Sequence, residues 1–94
     1  MASFEIAHIR EQGVDLIIVP LDSAFGSKSK RDQNEIINSL QDCASSAGLA
    51  GTVVPVWRVG NSHAFIAPDK WHPFFKSFRW NDILRNINKK LTCG

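Results

Sequence analysis

Three side chains in this 94-residue sequence could carry acid–base chemistry at neutral pH. Asp22 follows an apolar segment, His63 begins another, and His72 lies further along the chain. Histidine exchanges protons near neutral pH and a carboxylate can orient it, so one hypothesis is a small enzyme, or a small-ligand binder, with a pocket near these three residues. They are candidates only, because no nucleophile motif accompanies them.

The densest chemical feature is segment 70–80, which holds five of the nine aromatic residues together with basic side chains. Such side chains anchor protein partners, and they also bind single-stranded nucleic acid, where rings stack on bases and cations contact phosphates. The alternative is that the rings fill the gap between the last helix and the sheet. The predicted partner-binding residues are Lys70, Trp71, Phe74, Phe75, Lys76 and Arg79.

A second basic stretch comprises Ser27, Lys28, Ser29, Lys30 and Arg31, at the predicted start of a helix. Backbone amides at a helix start can hold a phosphate or another anion, which makes this stretch a candidate anion site. The alternative is a solvated basic turn whose serine caps the helix.

Charge and composition narrow the classes of function. The net charge is only +2, but residues 69–94 carry six lysines and arginines against two acidic residues, so positive charge gathers in the C-terminal quarter. Nucleic acid is therefore a possible partner but not the favoured one. The three histidines lack the spacing of metal ligands, and no motif indicates a metal or another cofactor.

The two cysteines lack the spacing of a redox or zinc motif. We expect Cys43 to be a buried small apolar residue and Cys93 to be a free thiol near the C-terminus. The first residues do not form the apolar core of a secretion signal, and no apolar run reaches the roughly 18 residues of a membrane span. These features predict a cytoplasmic protein without a membrane partner.

The first half predicts two strands and a helix. Segments 4–10 and 14–21 form a hairpin around Gln12-Gly13, a register that pairs Arg10 with Asp15. The helix then begins after Ser29 and ends before Gly48. Its apolar face comprises Ile36, Ile37, Leu40, Cys43, Ala44 and Ala47.

The second half predicts two more strands, 52–59 and 63–67, joined at Gly60-Asn61 and pairing Val56 with Phe65. Proline has no amide hydrogen, so Pro55 is expected to place its strand at the edge of the sheet. A final helix is expected over residues 78–91.

These elements predict one domain, 1–94, of the α+β class, in the order ββαββα. The expected architecture is a two-layer sandwich with a four-stranded, mostly antiparallel sheet in the order 1-2-4-3 and two helices on one face. This layout is architecturally similar to a permuted ferredoxin-like arrangement. The similarity rests on the inferred strand order and on no motif.

A two-layer sandwich leaves one sheet face open, yet the strands are apolar on both faces. Soluble monomers rarely expose such a surface, so we expect a homodimer to cover it, with Trp57 and Phe65 lining the interface or a pocket there. The leading hypothesis is therefore a small non-catalytic binding or oligomerisation domain. Segments 22–31 and 68–77 folding over this face are the alternative cover.

Overall fold

A five-stranded mixed sheet organises the molecule, and the computed structural model describes residues 2–93. Two 3-10 turns, Ser23–Ser27 and Asp69–Trp71, accompany three α-helices. The predicted α+β class is confirmed. The strands are β1 (Ala2–Glu11), β2 (Val14–Leu21), β3 (Thr52–Val59), β4 (Ser62–Phe65) and β5 (Lys89–Cys93), and the helices are α1 (Lys30–Ser46), α2 (His72–Ser77) and α3 (Trp80–Arg85).

Both predicted hairpins form in the expected register. Gln12 and Gly13 have φ values of 50° and 76°, as a two-residue type I′ turn requires, and Arg10 lies opposite Asp15. In the second hairpin Val56 pairs with Phe65, and Gly60 takes the positive φ of 57°. The turn residues and the apolar alternation therefore determine these two pairings.

Helix α1 matches its prediction closely. The Ser29 hydroxyl accepts a hydrogen bond from the Asp32 amide at 3.2 Å, which caps the first turn, and Gly48 adopts φ 78° just after the helix. Leu40 and Ala44 are buried against the sheet. The helix is thus the crossover between β2 and β3, which lie side by side and parallel.

The strand order is β4-β3-β2-β1-β5, so the predicted order 1-2-4-3 and the permuted ferredoxin-like layout are wrong. The error came from Pro55, which lies inside the sheet and not on an edge strand. Its carbonyl accepts the Ile66 amide at 3.1 Å, just beyond the end of β4. A strand residue directs its N–H and C=O to the same side. The amide hydrogen that Pro55 lacks would therefore point to the same place as its carbonyl, just beyond the end of β4, where no ladder hydrogen bond is lost.

The expected helix over 78–91 is also wrong, since α3 ends at Arg85 and the chain then enters β5. Asn88 makes this change of direction possible. Its side-chain amide accepts from the His8 N–H and donates to the His8 carbonyl, both at 2.9 Å, and its own N–H reaches the Ile6 carbonyl. Beyond the last residue pair of β1 and β5, the Asn88 side chain thus takes the place of a backbone partner for His8.

Helical segments cover both faces of the sheet, so the two-layer prediction is wrong. Helix α1 packs on a cluster that includes Ile17 and Val19, while Trp71, Phe75 and Ile83 pack on the opposite face. The apolar character of both strand faces is explained by burial within one chain. Within residues 2–93 the sheet therefore leaves no open apolar face, and the expected homodimer loses the argument that supported it.

A disulfide joins Cys43 on α1 to Cys93 on β5, with their Cα atoms 5.7 Å apart. The predictions of an unbonded Cys43 and a free Cys93 are therefore wrong. The error follows from the mistaken last helix, because only a strand at 89–93 brings Cys93 alongside α1. The bond fastens the last strand to the body of the molecule.

Candidate functional site

Asp22 does not join the two histidines in an acid–base site. Its carboxylate accepts the Ala24 amide at 2.9 Å and caps the turn Ser23–Ser27. Asp22 and His63 lie at the same end of the sheet, but β3 separates their strands, a spacing of about 10 Å. Asp22 therefore forms no contact with either histidine among residues 2–93, and the carboxylate near His72 is that of the exposed Asp69, with its Oδ1 3.7 Å from the His72 Nε2.

His63 and His72 flank the half-buried ring of Phe65, with ring centroids 6.1 and 5.3 Å from it. The Nε2–H of His63 donates to the Phe75 carbonyl at 3.0 Å, and that of His72 donates to the Ala67 carbonyl at 2.9 Å. A carbonyl can only accept, so each Nε2 carries a proton. The His63 bond thus fastens α2 to the β3–β4 hairpin, whereas the His72 bond lies within segment 66–77.

Segment 70–80 divides between core and surface. Trp71 and Phe75 are 5% and 0% exposed and belong to the core, so as the chain is folded no partner reaches these two rings. Lys70, Lys76 and Arg79 are exposed, and Phe74 is half-buried. The alternative interpretation, rings that fill the gap above the sheet, applies to Trp71 and Phe75.

The predicted interface residues Trp57 and Phe65 also pack inside the molecule. Trp57 is 8% exposed and packs against Phe25, with ring centroids 5.0 Å apart. It lies under the turn Ser23–Ser27, where a Cβ added to Gly26 would come within 2.5 Å of the indole nitrogen. Neither Trp57 nor Phe65 lines an open sheet face, because segment 22–27 and helix α2 cover them.

The basic stretch 27–31 behaves as a capped helix start. Ser29 caps α1, and Arg31 pairs with Glu35 across 3.7 Å on the exposed side of the helix. The five residues are all exposed, and none of them lines any of the four cavities described for residues 2–93. This arrangement is typical of a solvated turn.

A basic cleft opens between the tip of the β3–β4 hairpin and the link from α2 to α3. Its volume is about 390 Å³, within the range of small-ligand sites. Three lysine or arginine side chains, one histidine and two aromatic rings line it, and no acidic residue does. The lining residues are Arg58, Asn61, Ser62, His63, Lys76, Phe78, Arg79, Trp80 and Asn81.

No carboxylate directly contacts a cation of the cleft within the described chain, and the Asp82 charge acts on Arg79 only at longer range. Arg58 donates through Nε to the Gly60 carbonyl at 3.3 Å, which leaves its terminal amino groups for another acceptor. Among residues 2–93, neither Arg58, Lys76 nor Arg79 forms an ion pair. The cleft therefore concentrates positive charge on a molecule whose net charge is only +2.

Asp82 follows Arg79 by three residues, but its carboxylate is already engaged by other groups. Its carboxylate accepts the Arg79 backbone N–H at 3.0 Å and pairs with the Arg85 guanidinium. The backbone hydrogen bond, followed by the Arg85 contact, lowers the pKa of Asp82 below its ordinary value. The Asp82 carboxylate is therefore ionised and already bonded to groups at the start of α3.

Two further cavities adjoin the disulfide. One of about 550 Å³ is lined mainly by small polar residues of α1, and an apolar neighbour of about 360 Å³ lies beside Phe4 and Ile36. Neither contains a lysine, arginine or histidine. Residues 2–93 hold no group of three histidine, cysteine or carboxylate ligands that could bind a metal.

Of the residues that line the cleft, His63, Lys76 and Arg79 are among the predicted site residues, whereas Arg58, Phe78 and Trp80 are not. The signal was indirect: Arg58 precedes the Gly60-Asn61 turn, and that turn was predicted. Only the arrangement of strands places this turn beside the link between α2 and α3.

The chain matches no family model, and no curated protein or solved structure shows significant similarity to it. Function is therefore inferred from the chemistry of the cleft. No helix within residues 2–93 has the length and apolar character needed to cross a bilayer.

Proposed function

We propose that this protein is a non-catalytic binding module that holds a phosphate-bearing ligand in the basic cleft. The observation that carries the proposal is the grouping of Arg58, Lys76 and Arg79 around one cavity without a carboxylate in its lining. Arginine binds phosphate through paired N–H donors, and lysine adds a point charge. Serine and asparagine side chains in the lining add neutral hydrogen-bonding groups.

The walls of the cleft are held in place by the core. One wall is the hairpin that carries Arg58, and the other includes α2 with Lys76. The 3.0 Å bond from His63 to the Phe75 carbonyl joins the two walls, and the Phe75 side chain is fully buried. A preorganised cleft loses less conformational entropy on binding, which favours a binding role.

The test uses tripolyphosphate as the probe and isothermal titration as the readout. Arg58→Gln and Lys76→Gln are each expected to weaken binding about tenfold, since a hydrogen bond to a charged group contributes roughly 1.5 kcal/mol or more. Lys89→Gln is the matched control, because it makes the same charge change on β5, the opposite edge of the sheet. Equal weakening by all three variants, or no binding by the wild type, would contradict the proposal.

The homodimer and the protein partner remain predictions that rest on segment 70–80 alone. Exposed Lys70, Lys76 and Arg79 are the side chains available for such a contact. Sedimentation at tens of micromolar checks the dimer, and a monomer at that concentration would contradict it.

The compartment also remains a prediction. The cytoplasmic interpretation rested on the sequence of the first residues, on the lack of a long apolar run and on unbonded cysteines, whereas Cys43 and Cys93 form a disulfide. Disulfides persist mainly in oxidising compartments, so we propose such a compartment in place of the cytoplasm. Thiol trapping in the native host checks this, and finding both cysteines reduced there would contradict it.

A further inference from the structure

We infer that the ligand of the basic cleft is single-stranded nucleic acid, with an unpaired base placed against Phe78 and Trp80. The inference rests on the proposed phosphate-binding function and adds the class of ligand. Its basis is that both rings line the same cavity as the three cations and are only half-buried.

The two rings are fixed yet accessible. Phe78 stacks on Phe74 at a centroid distance of 5.1 Å, and both Phe78 and Trp80 pack at the margin of the core. A ring that is anchored on one side and open on the other offers a platform for a planar ligand at low entropic cost. A phosphate alone makes no use of such a platform.

Cations and aromatic rings alternate in the segment that lines the cleft, as phosphates and bases alternate along a nucleotide strand. Lys76, Phe78, Arg79 and Trp80 alternate cation and ring over five positions, and Arg58 faces them from the hairpin. Proteins that bind single strands combine aromatic platforms for bases with cations along the backbone. In a duplex the base faces are stacked on each other, so a duplex leaves Phe78 and Trp80 without a partner.

The experiment compares two fluorescent ten-nucleotide strands of equal charge, one of deoxythymidine and one abasic, by anisotropy at low salt. The base-containing strand is expected to bind roughly 5- to 100-fold more tightly, the range measured for loss of one base–aromatic stack. With three phosphate contacts, the log–log salt slope is expected to be about −2, at roughly 0.7 per contact for single strands.

Two variants locate the stacking. Trp80→Leu and Phe78→Leu keep an apolar side chain for packing but remove the ring, and each is expected to reduce the affinity for the deoxythymidine strand at least fivefold. Binding of tripolyphosphate is expected to stay within twofold in both variants. Lys89→Gln again serves as the control, with binding of the deoxythymidine strand unchanged within twofold.

The outcomes separate the two proposals. Equal affinity for the abasic and base-containing strands overturns the stacking inference and leaves the phosphate site standing. Failure of tripolyphosphate and both strands to bind overturns both. Should either leucine variant fail to fold by circular dichroism, the comparison of the two strands on the wild-type protein still decides the inference, since it needs no variant.

Discussion

Breaking the bond between Cys43 and Cys93 is expected to cost a large part of the stability of this protein. The bond closes a loop of 50 residues, and the chain-entropy relation gives about 4 kcal/mol at 25 °C for a loop of that length. A chain of this size has a free energy of unfolding of roughly 5–14 kcal/mol, at about 0.05–0.15 kcal/mol per residue. Reduction of the disulfide is therefore expected to remove between about a quarter and most of the free energy of unfolding.

The measurements are thermal and urea denaturation, each followed by circular dichroism, on oxidised protein, reduced protein and a Cys43→Ser/Cys93→Ser variant. A shift in Tm of roughly 15–30 °C is expected, since about 1 kcal/mol corresponds to 4–8 °C in a domain of this size. Amide exchange is expected to accelerate first in β5, an edge strand hydrogen-bonded only to β1.

The Cys43→Ser/Cys93→Ser variant is also the control for the reductant. Because it has no disulfide to break, the Tm of this variant is expected not to change when reductant is added. The reasoning is refuted if reduced and oxidised wild-type protein unfold at the same urea concentration. It is refuted more directly if the oxidised protein, unfolded in guanidinium, reacts with a thiol reagent at both cysteines.

Three other changes test the packing and the electrostatics. Trp71→Ala is expected to lose about 3–5 kcal/mol in chemical denaturation, because the indole is buried; a loss below 1 kcal/mol would show a surface ring. Gly26→Ala is expected to lose about 1–3 kcal/mol, since its Cβ would meet the Trp57 indole, whereas Ser27→Ala is the near-neutral control. The lowered pKa of Asp82 means that its stabilising contribution is present above the ordinary pKa of about 4 and is lost as pH falls through the folded-state value. The Tm difference between wild type and Asp82→Asn is therefore expected to shrink as pH falls below about 4, and a difference that does not decrease at all between about pH 6 and about pH 2 contradicts this.

The hairpins and helix α1 were predictable because their signals are local. A two-residue turn containing glycine fixes a register, and Arg10 opposite Asp15 follows from the position of Gln12-Gly13 alone. The serine cap directly precedes the 17-residue helix α1, which carries the apolar face. No distant part of the chain is needed to specify either.

The last third of the chain was not predictable from local signals, because the spacing of its apolar residues fits both the period of a helix and that of a strand. Ile83 and Leu91 lie on one face of an ideal helix, which suggested a helix through residue 91. In the structure they belong to clusters on opposite faces of the sheet, and Leu84, another apolar residue of the segment expected to be helical, is 46% exposed. Short apolar sets are ambiguous between helix and strand, and here the pairing of β5 with β1 decides.

The candidate site depends on that same long-range assembly. In segment 70–80 the buried Trp71 and Phe75 and the exposed Lys76 and Arg79 are close neighbours in sequence, and composition alone cannot divide them. The division is set by the sheet, which takes up two rings on one face and leaves the cations at its edge beside Arg58. Core packing and recognition are therefore not competing explanations of this segment, since the rings that it buries hold its charges in position.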